Sequence, residues 1–435
     1  MNKTISFKTL GCRVNLYETD ALASRFKAAG YDIADRDADA DVFVVNTCTV
    51  TNTSDQKCRQ VIHQIRRNHP EALIVVTGCM VNHRKEELLK SGIADYIIDN
   101  ERKSALFDII NEHFIMGHSD PEGYDRDLFS YQPAFDTFHT RSLIKIHDGC
   151  NNFCSYCIIP MVRGRSTSRP AEDIYKNVRE VVSHGFKEVV LTGVNMGRYQ
   201  YESTNFEQLV ENILEISGDF RVRVSSIEPD QFSDHFLSLF QHEKLAPHMH
   251  ICLQSGSDDT LKQMHRFYTI AKFRDMCQRI KAFRPDFNLT TDIIVGFPGE
   301  TEMTFKESCD FAKEIGFSHI HTFKYSIRTG TKAAVMTGQI PEKVKTERSE
   351  MMRQISLENK FKYFESMRGK MQRLLVERID NKGMARGYGE NYLPICLKSA
   401  KIEKNTFINI RLDKIVNQGN EERMAFEGSL ENPSL

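Results

Sequence analysis

Cys150, Cys154 and Cys157 stand in HDGCNNFCSYCIIP, on a loop after the apolar run LIKIH. The CxxxCxxC spacing gathers three thiolates, and a four-iron four-sulfur cluster held by only three of them keeps one iron open for a small molecule. A zinc site is the competing reading. Such sites usually pair two CxxC-like knuckles, however, and no fourth Cys stands at matching spacing nearby. An iron with an open position is redox chemistry, so the loop marks the chain as an enzyme.

A second triad is hidden by its spacing. Cys12, Cys48 and Cys79 each end a strand-like run, FKTLGC, FVVNTC and IVVTGC. In a parallel sheet all three lie at the carboxyl edge, where open α/β folds bind ligands, so residues distant in sequence converge there. Three separate core cysteines are the plain alternative, since free Cys is often buried. Each of these three follows a polar residue or a glycine at a strand exit, which favours a second cluster, again with an open iron. Cys58, Cys252, Cys277, Cys309 and Cys396 are read as structural.

The CxxxCxxC spacing is similar to the radical S-adenosylmethionine pattern, in which the cofactor's amino and carboxylate groups chelate the open iron. Strand-like runs recur at LIKIH, EVVLTG, RVRVSSI, HMHICLQ, LTTDIIVGF and HIHTFKY, separated by helical patterns. Six parallel strands with intervening helices suit a partial (β/α) barrel with its chemistry at the C-terminal strand ends. At those ends Thr192, Gly193 and Asn195 are placed to bond the methionine end of the cofactor. Gln254 and Ser255 are placed for a ribose hydroxyl, and the backbone of Gly296 and Phe297 for an adenine edge. Arg163, Arg165 and Arg266 near the mouth are candidates to hold a phosphate or carboxylate by bidentate bonds, against the ordinary role of a surface arginine as a solvated charge.

The elements divide the chain into an α/β protein of three parts. Residues 1–118 alternate β-branched runs with helical stretches and read as a doubly wound domain. Residues 119–138 lack an apolar period and read as a linker. Residues 139–365 hold the partial barrel and end in a long amphipathic helix over Pro341–Phe364. Residues 366–431 show short strands and turns, the pattern of a small β-barrel.

Composition sets bounds on partners. With 40% hydrophobic and 27% charged residues the chain is globular, and its net charge of −1 gives no global attraction to nucleic acid. Met367–Val416 nevertheless holds eleven Lys/Arg against five Asp/Glu, whereas Met1–His118 holds fifteen against sixteen. A basic β-barrel appended to an enzyme suits an RNA grip through phosphates. The opening MNKTISFKTLGC lacks the apolar run of a signal peptide, no stretch approaches membrane-spanning length, and eleven cysteines fit a reducing compartment, so a cytoplasmic location and no membrane partner are expected.

TLGCRVNLYETD, CIIPMVRGRS and LQSGSDDTLKQMHRFYT together resemble the methylthiotransferase family over nearly the whole chain. The resemblance implies an N-terminal domain with three cluster cysteines, a radical S-adenosylmethionine barrel and a C-terminal RNA-binding barrel of the TRAM type. The phrases look most like the branch acting on N6-threonylcarbamoyladenosine in tRNA, with Arg13 and Val14 where the ribosomal-protein branch has Pro-Lys and the isopentenyladenosine branch Gln-Met. By this resemblance Cys150, Cys154 and Cys157 carry the cluster that cleaves S-adenosylmethionine, and Cys12, Cys48 and Cys79 carry the auxiliary cluster that presents sulfur. A methylthio group then joins carbon 2 of the adenine next to the anticodon. The partners implied are tRNA, a reducing system and a sulfur source. Methylthiolation of isopentenyladenosine tRNA or of a ribosomal protein is the nearest alternative, and an iron-sulfur electron relay or carrier is the reading from another class.

Overall fold

The runs VFVVNT and LIVVTG are apolar at every one of their first four positions, which suits central strands covered on both faces. In the computed structural model, which describes residues 3–35, 38–135, 140–398, 402–417 and 424–430, they form Val42–Thr47 and Leu73–Gly78. Alternate side chains serve opposite faces. Val42, Val44 and Val75 pack with helices Arg13–Ala28 and Leu106–Met116, while Phe43, Val45, Ile74 and Val76 pack with helices Asn52–Asn68 and Cys79–Ser91. All five strands are parallel, in the spatial order Asp32–Ile33, Thr4–Thr9, Val42–Thr47, Leu73–Gly78, Tyr96–Ile98. That is a doubly wound sheet whose strand order reverses between Thr4–Thr9 and Val42–Thr47. Ligands bind at such switch points.

All six barrel strands expected from the sequence are present and parallel: Arg141–Asp148, Glu188–Gly193, Arg221–Val224, His248–Ile251, Asn288–Val295 and His319–Lys324. A bridge between Val222 and Leu245 links the two halves, while no pairing between His319–Lys324 and Arg141–Asp148 occurs among the described residues. The barrel is therefore partial, and its lumen opens along one side. The helix Glu342–Met367 leaves it and ends in the core of the last unit, where Phe364 stacks on Phe426 with ring centroids 5.1 Å apart. That unit is a closed five-stranded barrel of Met371–Ile379, Met384–Tyr388, Pro394–Lys398, Phe407–Asn417 and Met424–Leu430.

The segment expected to be a linker packs as a strap against the domains it joins. Tyr131 and Ala134 are buried, Tyr124 and Tyr131 join the N-terminal core, and the carbonyls of Tyr124, Asp127 and Leu128 accept from Arg102 Nε, Ser104 Oγ and Lys145 Nζ. Its aromatics have no regular period, so no helix or strand pattern announced them. The expected limits at 138 and 431 lie outside the described residues. No helix among the described residues is long and apolar enough to cross a membrane.

The C-terminal barrel is clamped to the central one by buried charge. Glu188 is fully buried and accepts from Arg221 Nε at 2.7 Å and Arg223 Nε at 2.9 Å, while Nη1 of Arg221 and Nη1 of Arg223 donate to the carbonyls of Arg373 and Glu390. Burial alone would raise the Glu188 carboxyl, but the two guanidiniums outweigh it and hold it below the usual range. Glu188→Gln strands two buried cations and should cost about 3–5 kcal/mol. A thermal midpoint equal to that of wild type would show that the clamp carries no such load.

Candidate active site

Cys48 and Cys79 directly follow the strands Val42–Thr47 and Leu73–Gly78, and Cys12 caps the helix that follows Thr4–Thr9. The three strands are neighbours, so three cysteines 31 or more positions apart meet at one edge. Gly11 allows the meeting. At φ +109°, a Cβ there would lie 2.8 Å from Cys48 Cβ. Cys12 is exposed, and it lines a cavity shared with Cys48 and Cys79. Burial pushes the Cys12 thiol up and that of Cys48 up to about 11, so binding a metal there must displace protons. Cys58 closes hydrogen bonds of 3.4 Å with both the N–H and the carbonyl of Cys48, which is a structural role.

Beneath this edge lies a network of buried ions. Glu18 accepts from Lys103 Nζ at 2.6 Å, Lys145 Nζ at 2.9 Å and Arg163 Nη1 at 3.2 Å, and Asp148 is bonded by Lys145 at 2.5 Å and Arg163 at 2.8 Å. Two carboxylates face three cations, an excess of one positive charge. Arg163 aims it: Nε lies 3.3 Å from Cys79 Sγ, and Nη2 donates to Asn15 Oδ1 at 2.6 Å. A buried positive excess beside three converging thiols fits an anionic iron-sulfur cluster.

The other triad sits on the loop after Arg141–Asp148. Gly149 turns the chain at φ +65°, where a Cβ would fall 1.9 Å from the carbonyl oxygen of Arg165. Arg266 Nη1 lies 3.2 Å from Cys154 Sγ and its Nη2 pairs with Glu228, while Asn195 Nδ2 lies 3.6 Å from Cys150 Sγ. Burial pushes Cys154 up and Cys157 up to about 12. The Oδ1 of Asn195 is buried with no hydrogen-bond partner, an acceptor left over for an amino group bound beside Cys150.

A cavity of about 720 Å³ runs down the lumen from Cys12, Cys48 and Cys79, past Thr192 and Gly193, to Tyr388 and Tyr392 of the C-terminal barrel. Its wall carries His248, His250, Asp292 and His321 from three adjacent strands. His250 Nε2 meets Asp292 Oδ1 at 3.1 Å, and His319 Nε2 meets His321 Nδ1 at 3.2 Å. Burial lowers the imidazoles of His248, His319 and His321, with His319 brought down to about 4.

Residues 4–99 match the family described as Uncharacterized protein family UPF0004, and residues 144–312 match the Radical SAM superfamily. Over 426 residues the chain is 37% identical to the Threonylcarbamoyladenosine tRNA methylthiotransferase MtaB of Bacillus subtilis (strain 168), covering 94% of each. It belongs to the methylthiotransferase family. Another member, the tRNA-2-methylthio-N(6)-dimethylallyladenosine synthase of Fusobacterium nucleatum subsp. nucleatum, is 34% identical over 426 residues, covering 95% of this chain and 97% of that one. The solved structure of the radical S-adenosylmethionine methyltransferase TsrM from Kitasatospora setae, with cobalamin and a 4Fe-4S cluster bound, shares the fold at a TM-score of 0.54 and 14% identity, covering 77% of each chain. As a radical S-adenosylmethionine methylthiotransferase, the chain takes two four-iron four-sulfur clusters and S-adenosylmethionine.

Other expected site residues of this methylthiotransferase divide. Thr192 and Gly193 line the cavity, and Gln254 stands at φ +65°, a conformation an ordinary residue holds only under constraint. Ser255 is spent internally on Ser308 and the N–H of Ser257. The N–H of Gly296 is spent on Glu300, and Phe297 is fully buried against Tyr156 of the cysteine loop, so this segment braces the loop where an adenine edge was expected. Two of the three candidate arginines already have partners within the protein. Arg163 and Arg266 are consumed by buried partners, and Arg165 stacks on the exposed Phe153 at 4.5 Å, outside the cavity. Missed in the sequence were the buried network and the lumen histidines. The last had a signal: HMH and HIH place imidazoles two apart, on one face of a strand.

Proposed function

We propose that this chain inserts a methylthio group at carbon 2 of N6-threonylcarbamoyladenosine next to the anticodon of tRNA. One observation carries the reading: the cavity joins the edge bearing Cys12, Cys48 and Cys79 to Thr192 and Gly193 at the barrel mouth, beside the loop of Cys150, Cys154 and Cys157. The name of the Bacillus subtilis relative supplies the nucleoside. Residues 1–118 then form the sulfur-presenting domain, 139–365 the radical domain and 366–431 the RNA grip.

When bound, the clusters and S-adenosylmethionine supply the sulfur, the methyl group and a carbon-centred radical strong enough for an inert C–H bond. The chain holds them in place. Cys150, Cys154 and Cys157 hold one cluster, Asn195 and Thr192 orient the methionine end of the cofactor, and Gln254 serves its ribose. Cys12, Cys48 and Cys79 hold the other cluster, with Arg163 balancing its charge.

A groove of about 490 Å³ lined by Arg141, Arg378, Arg386 and Lys404 shares Tyr388 and Pro394 with the main cavity. It is where the phosphates beside the target nucleotide are gripped. Charge reversal of Arg378 together with Arg386 should weaken tRNA binding and flatten its salt dependence, the slope falling by about one for each phosphate released. An unchanged slope would move the RNA path elsewhere.

The whole reading is tested by mass spectrometry of tRNA nucleosides from cells with and without the gene. Loss of the methylthio group from threonylcarbamoyladenosine alone is the expected result. Loss from isopentenyladenosine, or from a ribosomal protein, selects the corresponding alternative, and loss from none leaves the electron-relay reading.

A further inference from the structure

Arg13 directly follows Cys12, lines the main cavity half-buried, and makes no hydrogen bond or ion pair with any described residue. Of the other cations on that wall, Arg163 is consumed by Glu18, Asp148 and Asn15, and Lys360 is engaged with neighbours of its own. Around Arg13 stand His248, His321 and Tyr392, on all three of which its charge acts. Burial lowers both imidazoles, which disfavours a positive charge on them beside Arg13. A guanidinium with free donors, half-buried in the wall of a cavity, is a site for a carboxylate, which it grips with two parallel N–H···O bonds.

We infer that Arg13 binds the carboxylate of the threonylcarbamoyl group and so sets the choice among N6-modified adenosines. The inference rests on the function proposed above. Covalent chemistry limits where such a residue can stand. Carbon 2 and carbon 6 of adenine are separated by one ring nitrogen, so a substituent on N6 projects from a point close to the carbon that receives sulfur. A residue reading that substituent must therefore sit beside the sulfur-presenting cysteines. Arg13 is joined to one of them by a peptide bond. An isopentenyl group offers no acceptor, and bringing it here would leave the guanidinium desolvated and unpaired, which is how a site rejects the wrong ligand.

The test compares two anticodon stem-loops, one bearing threonylcarbamoyladenosine and one bearing its neutral methyl ester, with wild type, Arg13→Gln and Arg13→Lys. Wild type should favour the acid over the ester in kcat/KM by roughly 30-fold or more, the equivalent of a buried charged hydrogen bond. Arg13→Gln should bring that ratio near one, and Arg13→Lys should restore part of it, since the ammonium keeps the charge without the fork. A ratio unchanged in Arg13→Gln overturns the assignment. So does a variant that loses affinity for unmodified tRNA by the same factor, which makes Arg13 a phosphate contact, or one that loses iron or uncoupled 5′-deoxyadenosine formation by that factor, which ties it to cluster or cofactor. If wild type converts neither stem-loop but does convert the isopentenylated one, the proposed function itself fails together with the inference; if wild type converts the acid, only the inference is at stake.

Discussion

Alanine at Cys48 or Cys79 removes the methylthiolated product while 5′-deoxyadenosine formation continues, and bound iron drops from about eight to about four per chain. The two outcomes separate because the triads stand on different elements. Cys48 and Cys79 leave parallel strands of the N-terminal sheet, while Cys150, Cys154 and Cys157 occupy a loop braced by Met264, Gln263 and Phe297 of the barrel. Losing a thiolate at one edge leaves the supports of the other untouched. Cys58→Ala is the informative control, since its thiol serves only the backbone of Cys48. It should lower stability by about 1–3 kcal/mol, as a buried hydrogen-bonding group removed from a core does, and retain both clusters. Product at the normal level from Cys48→Ala or Cys79→Ala would end the sulfur-presenting assignment.

Arg163→Ala is expected to be nearly as damaging, although Arg163 binds no metal. It is buried and shares its N–H groups among Asp148, Glu18, Asn15 and Cys79, so it ties the N-terminal sheet, the barrel and one cluster cysteine together. Burial alone would raise the carboxyl of Glu18, but Arg163, Lys103 and Lys145 outweigh it and hold Glu18 well below the usual range. Removing one partner of such a network costs about 3–5 kcal/mol. The variant should melt earlier and lose the auxiliary cluster first, since the positive excess facing Cys79 disappears with the side chain. Arg163→Lys keeps the charge but cannot reach Asn15 and Cys79 together, so it should recover stability better than it recovers iron. A variant with wild-type iron and an unchanged melting midpoint would strip the network of this role.

The triads were legible for two different physical reasons. Cys150, Cys154 and Cys157 are neighbours in sequence, so spacing alone announced them. Cys12, Cys48 and Cys79 were found because apolar runs of strand length end at each, and a parallel sheet brings such ends to one edge. The closed C-terminal barrel likewise followed from short strands between turn residues. What stayed hidden depends on contacts between distant residues. Glu18 and Arg163 are 145 positions apart, and nothing local in LYETD or MVRGR shows that the two meet. The candidate arginines were taken from motifs near the mouth, whereas the one with free donors on the cavity wall follows the first cysteine. Its neighbours on the cavity wall come from strands that begin more than two hundred residues later. The strap of residues 119–135 escaped because Tyr124, Phe129 and Tyr131 pack singly, with no period to reveal them.

The roofed lumen has a mechanical consequence for the nucleic acid. With the N-terminal sheet over one end of a cavity of about 720 Å³ and the C-terminal barrel against the other, there is room for a nucleoside but none for a stacked helix. The target base must leave its neighbours and swing outward before any atom of it can react. Extrusion of that kind costs a few kcal/mol for a paired base and least for one already unpaired. An adenosine in a single-stranded loop therefore enters at small cost, while identical adenosines in stems are refused by their own stacking. Part of the enzyme's selectivity is thus exerted by the RNA, before a single side chain has read the base.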